Sequence, residues 1–169
     1  MHEAIRRELA VWLTTELPIG PFAELGSYDL NGGVRDFVPG IVGFDAVAGP
    51  GVDVVVSTTP PWPAEHGGRY GALIGASSIQ FCNEPRGWFE LAAFLLMTGG
   101  RLWASGCGTS CHTLHSTSPN GLGWRDMWRL DDRYLRMWGE PFFDHMSIVR
   151  HVTYGHEDWF LTATKRGTK

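Results

Sequence analysis

The sequence predicts an α/β domain whose mostly parallel sheet is covered by helices on both faces and closes with one strand running against the rest. Two observations carry this expectation. From Phe22 onward, short apolar runs of strand character alternate with loops and helical segments, the order produced by parallel strands joined through crossovers. The C-terminal stretch "SIVRHVTYGHEDWFLTATK" reads instead as two strands around a polar turn at Gly155 to Asp158, an antiparallel hairpin. With 169 residues, 43% of them hydrophobic, the chain is long enough for one buried core and short for two. Residues 1–169 are therefore expected to form a single domain, an N-terminal helix in 1–17 followed by an α/β core in 18–169.

In "HEAIRRELAVWLTTEL" the apolar residues Ile5, Leu9, Trp12, Leu13 and Leu17 recur at helical spacing, and Pro18 and Gly20 stop the helix. "FAEL" is the first strand. "GGVRDFVP" opens a helix that Pro39 cuts off, and "GIVGFDAV" is a second strand. "VDVVVST" is a third. The Pro- and Gly-rich stretch "TTPPWPAEHGGRY" is a loop, followed by a fourth strand in "GALIGASSI". "RGWFELAAFLLM" is the clearest helix of the chain, with "TGG" as its C-terminal stop and "RLWAS" as the strand behind it. A long loop runs from Gly106 to Gly123, and "LDDRYLRMWG" is a helix ended by Gly139.

Charge and composition narrow the function. The net charge of −4 supplies no basic field for a phosphate backbone or an acidic membrane surface, so a nucleic-acid partner is not expected. The N-terminus lacks the apolar stretch and cleavage site of a secretory signal, and no apolar run reaches the ~18 to 20 residues of a spanning helix. Three cysteines, Cys82, Cys107 and Cys111, fit reduced thiols better than a disulfide framework. These observations together predict a soluble, cytoplasmic protein with no membrane partner.

In open parallel sheets ligands bind at the carboxyl ends of the strands, where strand order reverses, normally after the first strand. The stretch "ELGSYDLNGG" occupies that point. Gly26 lets the backbone turn off the strand, Ser27 is small enough for close approach of a ligand, and Asn31, Gly32 and Gly33 can expose amides, although the stretch is one glycine short of G-x-G-x-x-G. Asp45, nineteen positions after Gly26, ends the second strand, where a carboxylate can accept hydrogen bonds from a ribose diol. Glu24 and Asp29 would repel a pyrophosphate while suiting a cationic ligand. The sulfonium and amino group of S-adenosylmethionine match that charge pattern. The same residues have plainer uses, since Glu24 can cap a neighbouring helix and Asp29 can make an Asx turn.

Across nearly the whole chain, in "FAELGSYDLNGGVRDFVPGIVGFDAVAGPGVDVVVST", "GASSIQFCNEPRGWFELAAFLLMTGGRLWAS", "WRLDDRYLRMWGEPFFDHMSIVRHV" and "DWFLTATK", the sequence resembles a small class I S-adenosylmethionine-dependent methyltransferase with an E-x-G-S-x-D-x-N-G first motif. The resemblance implies a Rossmann-like α/β sandwich with a seven-stranded, mostly parallel sheet and a reversed C-terminal strand. It also implies S-adenosylmethionine as cofactor. Glu24, Gly26 and Ser27 then form the methionine-side loop with Asp29 and Asn31 beside it, Asp45 holds the ribose, and Ser57 and Ser77 complete the cofactor-binding set. The chain departs from the family in two places: Ser57 stands where relatives often carry an acidic residue for the adenine amine, and Cys82 and Asn83 stand where a Glu-His pair is frequent.

Two further constellations could carry chemistry. "CGTSCHTLH" gathers Cys107, Cys111, His112 and His115, but the spacing C-x3-C-H-x2-H matches no common structural zinc site, and no metal is predicted. On the cofactor side of the fifth strand, His112 or His115 could take a proton from an acceptor as methyl transfers, or be plain loop histidines. Asp126, Trp128 and Arg129 beyond this loop either close over the substrate or lead into the next helix. "TTPPWP", with Thr59, Pro60, Pro61 and Trp62, resembles the motif by which amino-methyltransferases hold the exocyclic amine of a nucleic-acid base, provided that it follows the fourth strand of the sheet. The expected activity is in-line transfer of a methyl group to an oxygen or nitrogen of a small molecule. The alternatives are base amino-methylation and a catalytically silent methyltransferase fold used for binding. Oligomeric state is left open.

Overall fold

A computed structural model describes residues 3–29, 33–109, 128–153 and 156–167. In chain order the elements are α1 (Glu3–Thr15), β1 (Phe22–Leu25), β2 (Val42–Asp45), β3 (Val54–Val55), β4 (Tyr70–Ala76), α2 (Pro85–Leu95), β5 (Leu96–Cys107), α3 (Asp132–Gly139), β6 (Phe143–Thr153) and β7 (His156–Lys165). Short 3₁₀ turns occupy Val34–Asp36, Ala64–His66 and Ile79–Phe81. One seven-stranded sheet runs in the order β3-β2-β1-β4-β5-β7-β6. Neighbours from β3 to β5 are parallel, and β7 is antiparallel to both β5 and β6, as the sequence predicts.

Alternation along the central strands sorts their side chains onto two cores. In β4 and β5, Ala72, Ile74 and Trp103 pack under Ile5, Leu9 and Trp12 of α1. Leu73, Leu102 and Ala104 point the other way, onto Trp88, Phe89, Leu91, Ala92 and Leu95 of α2 and Leu135 of α3. In β7, Phe160 joins the α1 side, whereas Trp159 and Leu161 join the α2 side. Every second residue meeting a different helix layer explains why these runs are apolar throughout.

Four expectations need correction. The segment opened by "GGVRDFVP" is a single 3₁₀ turn, Val34–Asp36, because Pro39 ends it and β2 begins at Val42. The third strand shrinks to Val54–Val55, since Asp53 is drawn aside to accept the Gly43 N–H at 2.7 Å. Helix α2 ends at Leu95, two residues before Met97, and Leu96 already pairs with Tyr70. In the hairpin, Thr153 pairs with His156 and His151 with Asp158, so the strands run past the predicted turn on its C-terminal side, and β6 begins at Phe143 rather than Ser147.

Candidate functional site

The carboxyl ends of β1, β2, β3 and β4 form one rim of the sheet, and the chain reverses its direction of travel across the sheet between β1 and β4. Glu24 lies within β1, Gly26 to Asp29 follow it, Asp45 ends β2, Ser57 follows β3 and Ser77 follows β4. The fold therefore brings these predicted residues to one rim. Asn31, His112 and His115 lie outside the described residues, as do Cys111 and Asp126.

Gly26 is required by two independent constraints. Its φ of +85° lies in the left-handed region, and a Cβ there would sit 2.1 Å from the Cβ of Ser78. The turn is held by the N–H groups of Gly26 and Ser27, which both donate to the Phe44 carbonyl at 2.8 and 3.2 Å. Ser27 turns its hydroxyl inward: it is only 3% exposed, and its Oγ lies 2.6 Å from where a Cβ on Gly43 would stand. That hydroxyl finds no hydrogen-bond partner among the described residues. The loop of residues 46–53 folds over this turn, with the ring of Tyr28 against Gly49 and the Asp29 N–H donating to the Pro50 carbonyl at 2.9 Å.

Two carboxylates organise the rim. Asp45 accepts from the Tyr28 N–H at Oδ2 and the Val47 N–H at Oδ1, each at 3.1 Å, which ties the β1 loop to the β2 loop. Burial pushes its carboxyl above the usual range, while these amides pull it back. The Ala46 N–H lowers it as well, so of a carboxylate's roughly four lone-pair sites about one remains for a ribose hydroxyl. Glu24 is 5% exposed and accepts the N–H of Val34, capping the 3₁₀ turn. Burial pushes its carboxyl up to about 7, against the Val34 amide and the Arg35 charge, which lower it, and with Asp29 and Asp45, which raise it. Arg35 is committed elsewhere, to Asp53 and, at 3.0 Å, to the Gly51 carbonyl.

Ser57 is exposed and closes the next loop on itself: its Oγ accepts the Thr59 N–H at 3.1 Å and its carbonyl accepts the Trp62 indole at 3.0 Å. Thr59 to Trp62 thus follow β3, the edge strand, and not β4, so they miss the position that base amino-methylation requires. Ser77 adopts a left-handed φ of 53°, its N–H donating to the Ser105 carbonyl at 3.0 Å. Beyond it, Ser78 Oγ accepts the Trp88 indole N–H at 3.2 Å. Burial pushes the Cys82 thiol up to about 12, which keeps it protonated and unreactive, and Asn83 is exposed just before α2.

Trp128 is among the residues the sequence offers for closing over the substrate, whereas Gln80 carries no signal there. The Trp128 indole donates to the Cys82 carbonyl at 2.7 Å and its backbone N–H donates to the Gln80 carbonyl at 3.3 Å. Gln80, 2% exposed, in turn accepts the Cys107 N–H through Oε1 at 3.1 Å. Contacts across 27 and 46 positions leave no local pattern to read. Among the described residues, no group of three or more His, Cys, Asp or Glu is placed to hold a metal ion.

No protein-family model and no curated protein matches the chain in sequence. Solved structures do match it in shape. One is Burkholderia thailandensis 1,6-didemethyltoxoflavin-N1-methyltransferase with bound 1,6-didemethyltoxoflavin and S-adenosylhomocysteine, with a TM-score of 0.70 at 12% identity over 98% of this chain and 79% of that one. Haemonchus contortus phosphoethanolamine N-methyltransferase 2, in complex with phosphomonomethylethanolamine and S-adenosylhomocysteine, gives 0.67 at 11% identity over 96% of this chain and 53% of that one. The cyclase SpnF gives 0.65 at 14% identity over 98% and 82%. With its sheet order, its reversed β7 and these neighbours, the chain has the fold of the class I S-adenosylmethionine-dependent methyltransferases.

Proposed function

We propose that the protein is an S-adenosylmethionine-dependent methyltransferase acting on a small-molecule oxygen or nitrogen acceptor. The observation that carries this reading is the grouping of Glu24, Asp29 and Asp45 at the carboxyl ends of β1 and β2, beside the reversal between β1 and β4. Such a grouping attracts a cation and repels a pyrophosphate. The partnerless Ser27 hydroxyl next to it is consistent with polar space that a ligand or water completes. Two of the neighbours in shape are named for small-molecule acceptors, which supports that class of substrate here.

In this reading the methionine end lies against the Gly26 to Asp29 turn and Asn31, a ribose hydroxyl donates to the remaining acceptor site of Asp45, and Ser57 and Ser77 border the base. When bound, S-adenosylmethionine supplies a methyl group activated by the positive sulfur. The chain then has three tasks: to align the acceptor with that methyl group, to exclude water, and to take up the acceptor's proton, for which His112 and His115 are the candidates. Trp128, anchored on Cys82, walls the acceptor side.

Calorimetry with S-adenosylmethionine and S-adenosylhomocysteine tests the proposal, with saturable binding of both as the expected result. Asp45→Ala should weaken binding by ~1.5 to 3 kcal/mol, the loss of hydrogen bonds to a charged group. No binding of either compound would sink the reading. Chemistry other than methyl transfer on the same fold is the second reading, favoured by Cys82 and Asn83 in the β4 loop and by the similarity to a cyclase. A screen of sugars, phenols and amines for S-adenosylhomocysteine release separates the two.

A further inference from the structure

We propose that Glu24 holds a proton in the ligand-free protein and gives it up when the cationic methyl donor binds, so that donor capture is coupled to proton release. This inference rests on the proposed function above and adds the regulation of that site. Its first support is geometric. The Glu24 side chain leaves β1 on the α1 side, 5% exposed beneath the Val34–Asp36 turn, and among the described residues its hydrogen-bond donor is the N–H of Val34. A carboxylate has about four acceptor sites, so one amide leaves a buried anion poorly compensated.

Its second support is the charge around it. Asp29 on the β1 loop and Asp45 at the end of β2 both raise the cost of a negative charge there. On the 3₁₀ turn, Arg35 opposes them, but it is paired with Asp53 of the β2 loop and is 40% exposed. Asp36 faces Arg6 of α1 at 3.6 Å. No unengaged cation among the described residues is directed at Glu24, and its carboxyl is accordingly pushed up to about 7. A third, independent mark is the Ser27 hydroxyl. Gly43 pairs directly beside Glu24 in the sheet, so the partnerless Oγ packed over Gly43 shares the face that carries the carboxyl.

Bringing a sulfonium and an ammonium to this rim reverses the balance of charge. The carboxyl O–H then breaks heterolytically, the electron pair stays on the Glu24 oxygen, and the proton passes to solvent. Because transfer of the methyl group removes the sulfonium charge, the product complex regains the proton in part, and product is held less firmly than donor as pH rises.

The test is calorimetry of S-adenosylmethionine binding at pH 6, 7 and 8 in phosphate and in Tris, whose different ionisation heats count the protons exchanged. Affinity should rise roughly tenfold from pH 6 to pH 8 as the protein gives up its proton. Glu24→Gln should bind with the Glu24-dependent part of the proton release gone. The pH titration of the glutamate side-chain carboxyl carbons by NMR, with and without S-adenosylmethionine, reads the same proton in the wild-type chain should the variant fail to fold. Binding with the same proton count in wild type and Glu24→Gln, or no glutamate titrating near neutrality without ligand, overturns the inference and leaves the proposed function intact. Absence of binding at every pH overturns both.

Discussion

At Gly26 a single hydrogen in place of a side chain decides the shape of the rim. Gly26→Ala demands a left-handed φ from a residue with a Cβ and drives that Cβ into Ser78, so urea denaturation should show a loss of about 2 kcal/mol or more. Glu24 makes a prediction of opposite character. Its folded value of about 7 lies above the ordinary 4.5 of a glutamate, so its contribution to stability is fully present below pH 4.5 and is lost as pH rises towards and through 7. Glu24→Gln removes this dependence. Relative to wild type it should gain stability between pH 5 and pH 8, by up to roughly 3 kcal/mol, and urea melts at the two pH values check the sign. A variant that loses stability relative to wild type over that interval would contradict the assignment. The strand-end placement of Glu24, Gly26 and Asp45 was legible in the sequence because a turn off a strand end and a carboxylate at the next strand end are local signals. Ser78 and Gln80 were not, nor was the anchoring of Trp128 on Cys82, since each depends on a partner brought near only by the sheet.

Elements were legible in proportion to how much of their stability is local. Helix α1 shows its periodicity openly, and Ile5, Leu9 and Trp12 are its buried stripe. The Val34–Asp36 turn and β3 were overestimated because an apolar run reveals affinity for the core but not the length that neighbouring elements allow. The hairpin turn was misjudged for a related reason: polar Glu157 and Asp158 read as turn residues, yet Glu157 is 6% exposed and ion-paired with Arg150, which also reaches Asp132 at 2.7 Å. Helix α3 offers a clean test of local capping. Asp131 precedes it and accepts the Tyr134 N–H at 3.0 Å, so Asp131→Ala should cost about 1 kcal/mol, measured as a lower thermal midpoint. Asp131→Asn should restore most of it.

The molecule as a whole is one sheet shared by two cores, and the sheet couples them. Trp103 is 1% exposed on the α1 side of β5, while its chain neighbours Leu102 and Ala104 serve the α2 side. Trp103→Ala should therefore cost about 3 to 5 kcal/mol and lower the stability of both layers together. Hydrogen exchange would show this as reduced protection of α2 as well as α1, and loss confined to α1 would mean that the layers unfold separately. The α/β class, the strand count and the reversed last strand were readable at this scale because alternation of apolar runs is a property of the entire chain.

The anchoring of Trp128 on Cys82 also equips the protein for spectroscopy. Its indole is hydrogen-bonded to a carbonyl beside the thiol that senses the charge of Asp45, which sets a light-emitting group at the edge of the rim. Ligand arrival there should change the tryptophan emission without any attached dye, and Trp128→Phe should reduce that change.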